Sequence, residues 1–255
     1  MKIKVLGSSG ARMPGHNLPA FLLDDFLLLD AGTSSCVLNT VAQQKISHAL
    51  ITHSHLDHIN SIPFLVENMV NGSHKPPLTV ISGKDVLNDM KKYVFNNRIW
   101  PDFTVIPNKK HPVLKFQELA AGTCMKINDY KVCTAKVNHP VPAYGYLIED
   151  AKGKSLVYTG DTGPTHKLWE MMSGHDVKAL IIEVAFPDSM KKLASISGHL
   201  TPSLLAEELK KMSKIPESIY ITHINPVYIN QVTKELKRFK KLNIEVINDK
   251  TIITI

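Results

Sequence analysis

Cysteine is scarce in this chain of 255 residues, occurring only at positions 36, 124 and 133. Cys36, Cys124 and Cys133 are odd in number and match no zinc or redox spacing, which predicts free thiols and a reducing compartment. Long apolar runs are also missing. The longest, such as Phe26-Leu27-Leu28-Leu29, are far too short to cross a bilayer. Residues 1–7 alternate like a strand and lack the apolar stretch and small-residue cleavage site of a signal peptide. No low-complexity segment, long linker or solenoid-like period interrupts the chain. A cytoplasmic protein without a membrane partner is expected, with residues 1–255 forming one domain around one core.

Charge is unbalanced but not extreme. Thirty Lys and Arg stand against 23 Asp and Glu, a net charge of +7. Such an excess favours anionic partners. The lysines gather late, as in Lys210-Lys211 and Lys237-Arg238-Phe239-Lys240-Lys241, where they read as solvated helix faces. No basic run is interleaved with aromatics in the manner of a nucleic-acid groove.

Residues 2–7 read as a strand, and 21–23 and 26–29 as a hairpin turning at Asp24-Asp25. A buried strand at 49–52 runs into a histidine-rich loop. The spacing then predicts a helix over 59–70, with Pro63 in its first turn, where proline is tolerated. A strand at 78–82 and a helix over 84–95 follow. Strands at 123–127 and 130–137 flank the turn Asn128-Asp129, and strands at 144–148 and 155–159 flank Lys152-Gly153. The last third offers a strand at 179–184, a helix over 202–212, a strand at 218–222, a further helix and a terminal strand pair. Thr201 before Pro202 is a good helix start. Each half thus supplies strands and the helices to cover them. Two such halves stack as an α/β sandwich of four layers, αββα.

The chemistry is concentrated in His53-Ser54-His55-Leu56-Asp57-His58. Residues two apart in an extended segment point to one side, so His53 and His55 can share an ion. Asp57 and His58, where the chain turns into the next helix, can reach a second. Imidazole and carboxylate suit zinc, and also manganese or iron. Further metal-capable residues close three other predicted strands: His139, Asp161 and His223. Functional side chains converge beyond strand ends in sheet-based folds.

In order, spacing and strand context, His-x-His-x-Asp-His, then His, Gly-Asp-Thr and Thr-His resemble the metallo-β-lactamase superfamily over essentially the whole chain. The resemblance implies two divalent metal ions, the first on His53, His55 and His139 and the second on Asp57, His58 and His223, with Asp161 bridging. Asp57 doubles as an acid/base candidate. Two cations at one water lower its pKa and clamp the attacking and leaving oxygens of a phosphoryl displacement.

Glu183, His199, Asp57 beside His58 and the late His223 point to the phosphodiesterase branch. Gly160-Asp161-Thr162-Gly163-Pro164-Thr165, Ser197-Gly198-His199-Leu200-Thr201-Pro202 and the segment 96–103 are similar to class II cyclic-nucleotide phosphodiesterases. Asn60-Ser61 departs from that pattern, where a small residue and glycine are expected. The resemblance implies that His199, partnered by Glu183, is the acid that protonates the leaving oxygen. Asn97, Trp100 and Phe103 are candidates for the base pocket. A small nucleotide, cAMP or cGMP, is the expected substrate, RNA is the secondary one, and a homodimer is a compatible assembly.

The main rival is tRNase Z, which carries a tRNA-binding arm between the equivalents of His139 and Asp161. They stand only 22 positions apart here, enough for one hairpin and no arm. A thioester hydrolase of the glyoxalase II kind shares the metal motif but leaves His199 and Glu183 without a role. A binding module without catalysis has no need of the complete ligand set.

Overall fold

The structure, a computed structural model, describes residues 1–70 and 76–255. Six strands build most of the first sheet: β1 (Lys2–Gly7), β2 (Ala20–Leu23), β3 (Leu27–Ala31), β4 (His48–Leu50), β5 (Leu78–Ser82) and β6 (Leu114–Glu118). The next seven form the second: β7 (Cys124–Ile127), β8 (Tyr130–Lys136), β9 (Tyr144–Glu149), β10 (Lys154–Tyr158), β11 (Asp176–Glu183), β12 (Ser218–Thr222) and β13 (Ile244–Val246). The last strand, β14 (Ile252–Thr254), returns to the first sheet beside β1. Each sheet is mixed, antiparallel at one end and parallel at the other.

Local chemistry accounts for these elements. Asp24 and Asp25 both adopt positive φ at the β2–β3 turn, a conformation short polar side chains tolerate. Asp24 accepts a hydrogen bond from the Lys2 amide at 2.8 Å, which fixes the hairpin against β1. Strands β2 and β3 are buried at every position, as suits strands covered on both faces. One apolar cluster fills the space between the sheets and continues under the helices of the first, with Phe21, Leu29, Tyr146 and Leu65 among its members. A second lies between the other face of the second sheet and the helices over it, including Val157, Leu180, Leu205 and Val232. Truncating a central leucine such as Leu29 to alanine costs about 2–5 kcal/mol. The result is an α/β sandwich of the expected layered kind.

The helix Pro202–Lys211 begins where the sequence placed it, with the Thr201 hydroxyl accepting from the Leu204 amide and Pro202 in the first turn. Other expectations need correction. The helix over 59–70 is two helices, Leu56–Ile59 and Ile62–Val70. They part at Asn60-Ser61, where the Ser61 amide bonds Ala31 O at 2.8 Å and its hydroxyl accepts from the Ser35 amide. The segment 84–95 is α-helical over Lys84–Asp89 and π-helical over Met90–Val94. The last two strands do not pair with each other, since β13 extends the second sheet and β14 the first. Cys124 and Cys133 are not free thiols. They face each other across the β7–β8 pair and form a disulfide, leaving Cys36 free. Parity made the spare thiol visible, but only the strand register brings the other two together.

Candidate active site

Strand β4 delivers its C-terminal end to one edge of the sandwich, and the chain leaves it through Ile51 and Thr52, both fully buried. Thr52 is held there by Asp30, the fourth residue of β3. One Asp30 oxygen accepts the Thr52 amide at 2.8 Å and the other the Thr52 hydroxyl at 2.8 Å. The next residue, His53, begins the histidine-rich loop.

Two groups of donors converge beyond this point. His53, His55 and His139 form one, Asp57, His58, Asp161 and His223 the other, with the ligand atoms of each group within 4.8 Å of one another. His53 Nε2 lies 3.0 Å from His55 Nδ1, which is 3.3 Å from His139 Nε2. In the second group His223 Nε2 is 3.3 Å from Asp57 Oδ2 and 3.2 Å from Asp161 Oδ2. Asp161 Oδ2 also stands 3.3 Å from His58 Nε2 and 3.8 Å from His53 Nε2. It therefore reaches both groups.

Partners on the outer ring nitrogens decide which nitrogen faces inward. His58 Nδ1 donates to Asp30 at 2.7 Å, and His139 Nδ1 to the Gly198 carbonyl at 3.0 Å. The Thr52 hydroxyl, already donating to Asp30, accepts from His53 Nδ1 at 3.0 Å. Each ring thus presents Nε2 to the centre. His58 Nε2 is buried and, among the described residues, makes no hydrogen bond, as suits a ligand atom directed at a cation. The donor set and this orphaned nitrogen fit a pair of divalent ions.

Two glycines make the approach possible. Gly198 has positive φ, and a β-carbon there would fall 3.0 Å from His139 Nδ1 and 2.5 Å from Pro140. Gly160, also at positive φ, turns the chain from β10 into Asp161, and its β-carbon would lie 2.6 Å from the Thr52 side chain.

The electrostatics differ between the groups. Burial first, and repulsion from His58 second, hold His53 well below the usual imidazole range. Burial likewise lowers His55 and His139. Burial also opposes charge on His58, but the carboxylates of Asp161 and Asp30 outweigh it and raise its pKa well above the usual value. Asp57 and Asp161 are lowered by their histidine neighbours despite burial.

His199 stands beside both groups, its ring centroid 5.3 Å from that of His139 and 5.5 Å from that of His223. Its Nδ1 donates to Glu183 Oε1 at 2.7 Å. Glu183, fully buried at the end of β11, also accepts the amides of Thr162, Ala185 and Leu200. Burial would lower His199, but the Glu183 charge prevails and raises it to about 9.

The expected base-pocket residues are not among these donor groups. Phe103 is 5% exposed and packs in the core, and Trp100 sets its ring against Phe64 at 5.2 Å. Asn97, at positive φ, accepts the Asp102 amide to close its own loop. None of the three contacts a member of the histidine groups among the described residues. Asp30 was not anticipated. It lies 28 residues from His58, and its only local signal is a lone acid inside an apolar strand. Tyr158, which donates to Asp30 at 2.6 Å, gave no signal.

Residues 26–224 match the beta-lactamase superfamily domain, and the chain belongs to this family. A probable 3',5'-cyclic-nucleotide phosphodiesterase of Yersinia pestis is 24% identical over 215 residues, 74% of this chain and 60% of that protein. The chain thus spans less than two thirds of that relative's length. Ribonuclease BN of Enterobacter sp. strain 638 is also 24% identical, over 92% of this chain and 93% of its own. Unliganded yeast PDE1 superposes with a TM-score of 0.84 at 18% identity, covering 100% of this chain and 99% of that one. The shared fold is clear, and the chain is a member of a metallo-hydrolase family with residue clusters able to hold metal.

Proposed function

We propose that this chain is a dinuclear phosphodiesterase that hydrolyses 3',5'-cyclic nucleotides to 5'-monophosphates. His53, His55 and His139 would hold one ion, Asp57, His58 and His223 the other, with Asp161 shared. Zinc suits these donors, and manganese or iron can take the same set. Bound ions supply an acidified water and positive charge for the phosphoryl oxygens. Asp57, whose side chain keeps 29% of its surface exposed, also orients the attacking water.

The observation that carries the reading is the His199–Glu183 pair. Attack of water on phosphorus breaks the bond to the ribose 3'-oxygen, a poor leaving group that needs a proton. His199 Nδ1 is committed to Glu183, so Nε2 is the atom that delivers it. The Yersinia relative is named for this substrate class, which supports the reading. Ribonuclease BN supports an RNA alternative, since it aligns over nearly the whole of both chains. Against that alternative, only β9, β10 and their turn lie between His139 and Asp161, which leaves no tRNA-gripping arm.

Turnover of the His199→Ala variant tests the proposal. Cyclic-nucleotide hydrolysis is expected to fall about 10²–10⁴-fold, the usual contribution of a positioned acid, with metal content retained. Bis(p-nitrophenyl) phosphate, whose leaving group needs little protonation, is expected to lose much less. Equal losses on both substrates would rule out the acid role, and faster cleavage of precursor tRNA than of any cyclic nucleotide would favour the RNA reading.

A further inference from the structure

Beyond Glu183 the chain runs through Val184 and Ala185 into Phe186, and hydrogen bonds tie this loop down on two sides. The Phe186 amide bonds the carbonyl of Leu200, the residue after His199, at 3.4 Å. The Ala185 carbonyl accepts the amide of Asn225, two residues past His223, at 3.1 Å. The Ala185 amide donates to the Glu183 carboxylate at 3.0 Å, so the group that holds His199 also shapes the turn into Phe186. Pro187 follows and restricts the backbone further. Asn225 caps the short helix Pro226–Tyr228 through its side chain, which brings Tyr228 to the same place.

A chain of ring contacts therefore leads away from the donor groups. His199 neighbours both His139 and His223. The Phe186 centroid is 5.8 Å from that of His199 and 6.2 Å from that of Tyr228, with interplanar angles of 72° and 54°. Neither angle is that of a stacked pair, and among the described residues no ring lies flat on Phe186. No other phenylalanine, tyrosine or tryptophan ring among them pairs with a histidine of the site. Tyr228 packs against the second apolar cluster. Phe186 is half-buried, yet it belongs to neither cluster and is not among the residues packed against them. Aromatic rings ordinarily serve a core; this one is fixed by its backbone beside the candidate acid without doing so.

The chemistry of the leaving oxygen indicates what such a ring can hold. His199 Nε2 is the atom that delivers a proton to the ribose 3'-oxygen. The same furanose carries the base, so a nucleotide whose 3'-oxygen meets His199 has its base one sugar ring away. A base is flat and takes an aromatic side chain as its partner regardless of its hydrogen-bonding edge. We infer that Phe186, backed by Tyr228, is the platform on which the base of the nucleotide stacks. The inference rests on the nucleotide reading above and deepens it by assigning the surface that recognises the base.

The test compares ligands that differ only in the base. On metal-replete wild type, 5'-AMP and 5'-GMP are each expected to bind at least about tenfold more tightly than ribose 5-phosphate, the value of one stacked base. Phe186→Leu keeps apolar bulk and removes the ring; because Phe186 lies outside both clusters, the fold should stand. The advantage over ribose 5-phosphate should then fall about tenfold, whereas Phe186→Tyr, which keeps a ring, should retain most of it. In turnover, Phe186→Leu should raise KM for cAMP and cGMP about tenfold with little change in kcat, the signature of lost uniform binding. Its basic limb in pH should stay where it is in wild type. Equal affinity of wild type for ribose 5-phosphate and the nucleotides overturns the inference, as does an equal loss on all three ligands in Phe186→Leu. A fall in kcat with a shifted basic limb also overturns it, since Phe186 would then be a buttress of His199. A base advantage that depends on Phe186, without turnover of any cyclic nucleotide, would refute the phosphodiesterase reading and leave the platform standing.

Discussion

Replacing Asp30 by asparagine should damage both ion sites at once, although Asp30 belongs to neither. Its carboxylate accepts four hydrogen bonds: the Thr52 amide and hydroxyl, His58 Nδ1 and the Tyr158 hydroxyl. Through His58 it orients a donor of the second group, and through the Thr52 hydroxyl it orients His53 of the first. Asparagine keeps the shape but offers an amide nitrogen to one side. If the amide oxygen keeps the Thr52 amide, the NH₂ group meets the His58 N–H and two hydroxyls. The hydroxyls can turn, but the His58 N–H cannot, unless the ring takes the other tautomer and loses Nε2 as a ligand atom. Breaking a buried charge-assisted network of this kind costs about 3–5 kcal/mol. Loss of an orienting partner typically costs about 10–100-fold in metal affinity.

Tyr158→Phe is the matched control, because it removes one donor to Asp30 and no histidine partner. It should cost about 1–2 kcal/mol and leave both metal affinities within about threefold. Denaturant unfolding of metal-free protein measures the first quantity, and competition with a chromophoric chelator measures the second for each ion. An Asp30→Asn protein that is less stable yet binds both ions like wild type would refute the orienting role. Loss confined to the second ion would refute the path through Thr52.

Because Glu183 raises His199 to about 9, its acid form is present below that pH, and turnover should fall as pH rises through it. Glu183→Gln removes the raising charge, so the basic limb of kcat/KM for a cyclic nucleotide should move to lower pH; an unmoved limb would exclude His199 as its source. On acidification the second ion should leave before the first, since protons compete for His58, raised well above the usual imidazole range, while His53, His55 and His139 are lowered. Elemental analysis after dialysis across a pH series checks the order, and simultaneous loss of both ions would contradict it. Thiol titration of denatured, unreduced protein should count one free thiol, Cys36, and three would contradict the cross-strand disulfide.

What the sequence reveals here follows the range of the interaction. The loop His53 to His58 is legible because its donors are neighbours in the chain and its periodicity is that of an extended segment entering a helix. His139, Asp161 and His223 are legible because each follows an apolar strand, and the structure sets all three against that loop. Strands β1, β5 and β12 lie where the pattern puts them, their alternation or apolar runs being strong. Strand β6 escapes notice because Leu114-Lys115-Phe116-Gln117-Glu118 is mostly exposed at a sheet edge, where burial imposes little pattern. The terminal strands are read as partners because they are close in sequence, whereas pairing depends on which sheet has a free edge. Propensity does not show that Trp100 leans on Phe64.

The site is assembled across the two sheets, and residues of the second sheet, two of them through tyrosine hydroxyls, support the loop that leaves the first. His53, His55, Asp57 and His58 follow β4, whereas His139, Asp161 and His223 follow β8, β10 and β12. Nothing along the chain holds these two sets in register. Contacts between the sheets do so instead, three of them beneath the loop. The Tyr158 hydroxyl on β10 donates to Asp30 on β3. The Tyr146 hydroxyl on β9 donates to Ile51 O at 2.7 Å, two residues before His53. The Tyr144 amide donates to Thr52 O at 3.0 Å. Each spans the apolar layer with a fully satisfied polar group, which is costly to break and permits no sliding of one sheet past the other. Apolar packing alone would tolerate small shifts of the sheets, but the position of Asp161, 3.3 Å from His58 Nε2 and 3.8 Å from His53 Nε2, would not survive them. The buried tyrosines therefore convert a permissive sheet-on-sheet interface into a fixed one at the edge where the two donor groups meet.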